Sequence, residues 1–117
     1  MPVNATIERL PQNTAVVTLS GNLTLGTSLK VADSQIQAAI ADGVTRILID
    51  LSAVDYLDSA GLGMLIFTFG ALKKKSGALR LCGLAPRVLS LLQLTNSDTF
   101  IAIDPTREES LAALAKT

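Results

Sequence analysis

The chain has 117 residues, 49% hydrophobic and 17% charged, which suits one folded domain with an ordinary core and argues against disorder. Ten Lys+Arg balance ten Asp+Glu, so the basic excess of a nucleic-acid binder is absent. There is no histidine, which excludes His-based triads and His metal ligands, and the single Cys82 excludes an internal disulfide and a Cys-only metal site.

Met1 to Thr6 carries no basic stretch followed by an apolar one, so no leader is expected. Thr6–Leu10 reads as a modest strand and Pro11-Gln12-Asn13 as a turn. Thr14–Ser20 is β-branched and partly alternating, a better strand, and the short connection predicts an antiparallel hairpin. Gly21 is expected to break that run. Leu25, Leu29, Ala32, Ile36, Ala39 and Ile40 recur at helical spacing, with Thr27 or Ser28 as cap and Asp42-Gly43 as the end. Arg46–Leu51 has a continuous Ile-Leu-Ile centre, the mark of an interior strand.

Ser52 to Asp58 reads as a turn-like stretch. A second helix follows, with Leu62, Leu65, Ile66, Phe69 and Leu72 as its expected buried stripe and Lys73, Lys74 and Lys75 at its C-terminal end. Its apolar run, residues 61–72, falls short of the roughly 18 residues of a membrane span. Ala78–Cys82 is a short strand, with Cys82 a buried strand residue. Pro86 opens a helix carrying Val88, Leu89, Leu91 and Leu92. Phe100–Ile103 is a last strand. Thr106-Arg107-Glu108-Glu109 fits a capping box, with Leu111 and Leu114 facing inward. The order β-β-α-β-α-β-α-β-α predicts an α/β fold in which four helices pack on one mixed sheet.

Tyr56-Leu57-Asp58-Ser59-Ala60-Gly61-Leu62-Gly63 carries the functional information. It joins an interior strand to a helix, at the carboxyl end of the sheet where sites gather. Gly61 and Gly63 lie in the first turns, each costing about 1 kcal/mol relative to Ala, so close packing or close approach by a partner must compensate. Ser59 falls at or next to the N-cap. A serine there is commonly a cap. A nucleophilic role lacks both a His base and an elbow motif. A phosphoacceptor role suits the position, because free N–H groups and the helix dipole accommodate a phosphate. Asp50, Asp55 and Asp58 suggest a cation site less well than they suggest turn and cap residues.

Asp58-Ser59-Ala60-Gly61-Leu62-Gly63 after the Ile-Leu-Ile-Asp-Leu strand resembles the signature of STAS domains, and more narrowly of bacterial anti-sigma-factor antagonists. Val17-Thr18-Leu19-Ser20-Gly21, Leu81-Cys82-Gly83-Leu84-Ala85-Pro86-Arg87-Val88 and Leu92-Gln93-Leu94-Thr95 extend the resemblance over nearly the whole chain. It implies a single STAS domain over residues 1–117 and a switch in place of a catalyst. In that family the serine after the aspartate is phosphorylated by a partner anti-sigma factor that is also a kinase. The unphosphorylated antagonist binds the partner and frees a sigma factor. The matching phosphoacceptor is Ser59, and the implied partner surface comprises Asp58, Ser59, Ala60, Gly61, Asn22 and Thr24. Many antagonists carry acids in the last two places; Gly21-Asn22-Leu23-Thr24 carries none.

The resemblance implies no cofactor of the chain's own, since ATP and Mg belong to the kinase. No metal site, no direct nucleic-acid contact and no membrane contact are expected. A phosphatase is a further implied partner, a cytoplasmic location is expected, and zero net charge with a large apolar fraction is compatible with a homodimer. The alternative within binding proteins is a STAS subunit that scaffolds a signalling or transport-associated complex.

Overall fold

The computed structural model describes residues 2–117. Its five strands are β1 (Asn4–Leu10), β2 (Thr14–Leu23), β3 (Arg46–Leu57), β4 (Ala78–Cys82) and β5 (Ala102–Asp104). The helices are α1 (Thr27–Ala41), α2 (Ser59–Lys73), α3 (Pro86–Leu94) and α4 (Arg107–Ala115), with a short 3-10 turn at Ser97–Thr99. The strands form one sheet in sequence order. β1 and β2 make the predicted antiparallel hairpin, and β2 to β5 run parallel through the helical crossovers.

Alternation along the strands divides the core in two. Val17, Leu19, Ile47, Ile49, Leu51, Leu79 and Leu81 belong to one cluster with the buried residues of α1, α2 and α3. Val16, Leu48 and Cys82 belong to the other, closed by Leu114 of α4. The Ile-Leu-Ile run of β3 is apolar throughout because helices cover both its faces.

Several sequence expectations are corrected. Gly21 does not end β2. It sits at a positive φ of 92°, beside shifts in the β2–β3 register, and the strand continues to Leu23. Irregular pairing of this kind admits a glycine without loss of the strand. The Ser52–Asp58 stretch is not a loop: β3 runs on to Leu57, pairing Asn22 with Tyr56 and Leu23 with Leu57. Thr27 and Ser28 do not cap α1. Gly26 holds the cap position, and the Ser28 hydroxyl instead accepts a hydrogen bond from the Val3 N–H at 3.0 Å. Leu25 lies before the helix and is exposed. In α2, Ile66 is exposed and Phe69 only half-buried, while Met64 and Thr68 face inward. The Thr68 hydroxyl donates to the Met64 carbonyl at 2.9 Å, so a polar residue sits in the core without an unpaired group. Phe100 precedes β5 and is exposed on one side, with its ring 5.3 Å from that of Phe69.

Candidate functional site

β3 delivers Asp58 to the carboxyl edge of the sheet, where the chain turns into α2. Asp58 is the N-cap, with extended backbone angles of −102° and −170°. Its Oδ1 accepts from the Ala60 N–H at 2.9 Å and the Gly61 N–H at 3.0 Å. Its Oδ2 accepts from the Leu25 N–H at 3.0 Å, while the Asp58 N–H donates to the Leu23 carbonyl at 3.1 Å. One carboxylate therefore caps α2 and ties it to the segment that leaves β2. The Leu25 bond, followed by the bonds from Gly61 and Ala60, holds the Asp58 carboxyl below its ordinary pKa.

Gly61 completes the junction. A Cβ there would collide with the Leu23 carbonyl oxygen and come within 2.8 Å of the Leu23 Cβ. The glycine expected from close packing is thus accounted for at Gly61. It is not accounted for at Gly63, where a Cβ would meet nothing within 4 Å.

Ser59 is the first residue of α2, next to the cap, and is exposed. The row of free N–H groups expected beside it is shortened, because Asp58 already takes those of Ala60 and Gly61. Ala60 is half-buried against the core, and Asn22 and Thr24 are half-buried where β2 ends beside Asp58. The structure thus brings Asn22, Thr24, Asp58, Ser59, Ala60 and Gly61 to one end of the sheet.

The same end holds a groove of about 510 Å³ that the sequence reading did not identify. Its lining comes from Tyr56, Asp58 and Ser59 at the β3–α2 junction and from Arg87, Ser90, Leu91 and Leu94 of α3. The Arg87 guanidinium lies over the Tyr56 ring, 5.4 Å from its centroid. β4 ends at Cys82 beside Asp50 while β3 runs on to Leu57, and α3 packs against β3, so that Arg87 near its start reaches Tyr56 near the strand's end. That contact is tertiary, and no local motif announces it.

The three aspartates weighed as a cation site do not converge as one. Asp58 is committed to backbone N–H groups. Asp50 lies on the α4 side, where Arg107 donates to it at 2.8 Å and to the Thr18 hydroxyl at 3.1 Å. Burial works to raise the Asp50 pKa, but hydrogen bonds from Arg107 and Ser52 outweigh it and hold the carboxyl below its ordinary value. Among the described residues no group of three or more potential metal ligands is found. Cys82 is buried, and loss of solvent pushes its thiol up to about 11, so it stays protonated and unreactive at neutral pH.

The sequence matches the STAS domain family over residues 4–110. It is 31% identical over 85 residues to an anti-sigma-B factor antagonist of Listeria monocytogenes, covering 73% of this chain and 74% of that one. The fold superposes on an anti-sigma factor antagonist from Mycobacterium paratuberculosis with a TM-score of 0.83 and 28% identity, covering 97% and 94% of the two chains. It shares its fold with the Bacillus anti-sigma factor antagonist SpoIIAA. The TM-score is 0.84 for the unphosphorylated form, at 22% identity over 97% and 98% of the chains. It is 0.75 for the phosphorylated form, at 21% identity over 94% and 98%. A matched family region spanning nearly the whole chain, a sheet and four helices in the same arrangement, and the Asp58–Gly63 junction at the sheet's carboxyl edge place this chain in the STAS domain family.

Proposed function

We propose that the chain is an anti-sigma factor antagonist whose affinity for its partner is switched at Ser59. The observation that carries this reading is the state of Ser59: an exposed hydroxyl on the first residue of α2, held in place by a cap that does not use it. Relatives named as anti-sigma factor antagonists, one of them known in a phosphorylated form, support it. In the unphosphorylated state the surface formed by Asp58, Ser59, Ala60, Gly61, Asn22 and Thr24 docks on an anti-sigma factor that is also a serine kinase, and a sigma factor is released. The kinase brings ATP and Mg. Ser59 Oγ then forms a bond to the γ-phosphorus, the bond to ADP breaks, and the hydroxyl proton passes to a base of the kinase, since the Asp58 oxygens are occupied by backbone N–H groups.

The new phosphate adds about 1.5–2 negative charges at pH 7. The fold survives, because Ser59 lies outside the core and its hydroxyl has no structural hydrogen bond. The partner surface does not survive, because docking now requires taking a bulky dianion out of water. A phosphatase resets the switch. Both states act in the cytoplasm, and among the described residues no helix is long and apolar enough to cross a membrane. The uncharged Asn22 and Thr24 favour a second reading, a scaffolding STAS subunit in which phosphorylation is optional.

Mass spectrometry of the chain isolated from its own cells tests the first reading. Phosphate is expected on Ser59, and Ser59→Ala is expected to retain the anti-sigma partner and lose the phosphate. An unmodified Ser59 under every growth condition would favour the scaffold.

A further inference from the structure

We propose that Arg87 is the intramolecular receptor for a phosphate on Ser59, so that the phosphorylated chain carries a phosphoserine–arginine clamp between α2 and α3. The inference rests on the reading of Ser59 as phosphoacceptor and adds the group that receives the charge. Three observations carry it. Ser59 and Arg87 line the same groove of about 510 Å³, one at the start of α2 and the other in the first turn of α3. The chain has five arginines. Arg9, Arg80 and Arg107 pair with Asp42, Asp104 and Asp50, and Arg46 donates to the Gln12 and Thr117 carbonyls. Arg87 makes no ion pair and no hydrogen bond with any described residue. It rests on the Tyr56 ring with its donors unused.

The third observation is the occupancy of the helix end. A phosphate at the start of a helix ordinarily takes the first free N–H groups. Here Asp58 Oδ1 already holds those of Ala60 and Gly61. A phosphate on Ser59 therefore needs another source of donors and of positive charge. The charged groups lining the groove are Asp58 and Arg87. Asp58 repels the phosphate, and Arg87 is the cation that shares the groove with it. A guanidinium offers paired N–H donors in a planar fork that matches two phosphate oxygens, and the Tyr56 face restricts its motion beforehand. The clamp draws the new charge into the groove, against α3 and beside Leu91 and Leu94.

The test uses the full chain with phosphoserine installed at position 59 during synthesis, followed by 31P NMR titration between about pH 4 and 8, which brackets the second phosphate ionisation near 6. Arg87 favours the dianion. R87Q is therefore expected to raise the titration midpoint by about half a unit or more, and R87K to recover part of the difference. Tyr56→Leu, which removes the ring beneath the guanidinium, is expected to fall between wild type and R87Q. Circular dichroism establishes that each variant is folded. Superimposable curves for wild type and R87Q would overturn the clamp. The phosphate does not depend on a kinase in this experiment, so the clamp succeeds or fails independently of whether cells phosphorylate Ser59.

Discussion

Gly61 and Leu23 meet with no space for a side chain between them. A Cβ on Gly61 would strike the Leu23 carbonyl oxygen and press to 2.8 Å on the Leu23 Cβ. That oxygen also accepts the Asp58 N–H at 3.1 Å, so it cannot retreat without loosening the N-cap of α2. The end of β2 and the start of α2 are therefore one rigid unit, and Ser59 lies inside it.

Gly61→Ala should destabilise the protein by about 2–3 kcal/mol, because backbone rather than a flexible side chain must move. Gly63→Ala should do the opposite. With nothing within 4 Å of the added carbon, it should gain up to about 1 kcal/mol of helix propensity. Urea denaturation of the two variants checks the pair. A stabilised Gly63→Ala with weakened partner binding would show that Gly63 is kept bare for docking.

In α2, Leu65→Ala should cost about 2–5 kcal/mol, since Leu65 is fully buried. Ile66→Ala should cost less than about 1 kcal/mol, because Ile66 faces solvent. Thermal or urea unfolding distinguishes them. Equal losses would contradict the observed helix rotation.

This helix shows where the sequence was legible and where it was not. Hydrophobic periodicity locates a helix well, and it placed α2 over the right residues. It assigns the buried face poorly when Leu, Ile, Met and Phe surround the helix, as they do from Leu62 to Phe69. Thr68 then takes a core position that a polarity rule denies it. The run from Ser52 to Asp58 looked like a turn because Ser52, Asp55 and Asp58 interrupt it. It stays a strand because β2 continues beside it. At the site, Asp58, Ser59 and Gly61 were readable from a local motif. Tyr56 and Arg87 were not, because their contact is made by α3 packing on the part of β3 that runs past the end of β4.

The chain should lose stability in acid. Asp50, Asp58 and Asp104 all have depressed pKa values in the folded state; for Asp104 the bond from Arg80 is the chief cause. A depressed carboxyl stabilises the fold above its unfolded value, near 3.9, and that contribution is lost as pH falls through the folded value. Urea midpoints should match at pH 7 and about pH 5 and fall by about pH 3. Arg107→Ala leaves a buried Asp50 oxygen without its donor, and should cost about 1–3 kcal/mol at neutral pH. It should also lessen the acid sensitivity.

Asp58→Ala should lower the melting temperature and expose the Leu23–Gly26 segment to faster amide exchange, since that carboxylate binds both α2 and Leu25. Asp58→Asn keeps an acceptor oxygen and should lie between. Exchange confined to the first turn of α2, with Leu25 unaffected, would contradict the cross-link.

Titration calorimetry against the purified anti-sigma partner tests the switch most directly, with the chain unphosphorylated and then phosphorylated on Ser59. Phosphorylation should weaken binding by about a hundredfold or more, equivalent to about 2.7 kcal/mol. Ser59→Ala should bind as the unphosphorylated chain does and stay insensitive to ATP. Equal affinity of the phosphorylated and unphosphorylated chains would contradict the account.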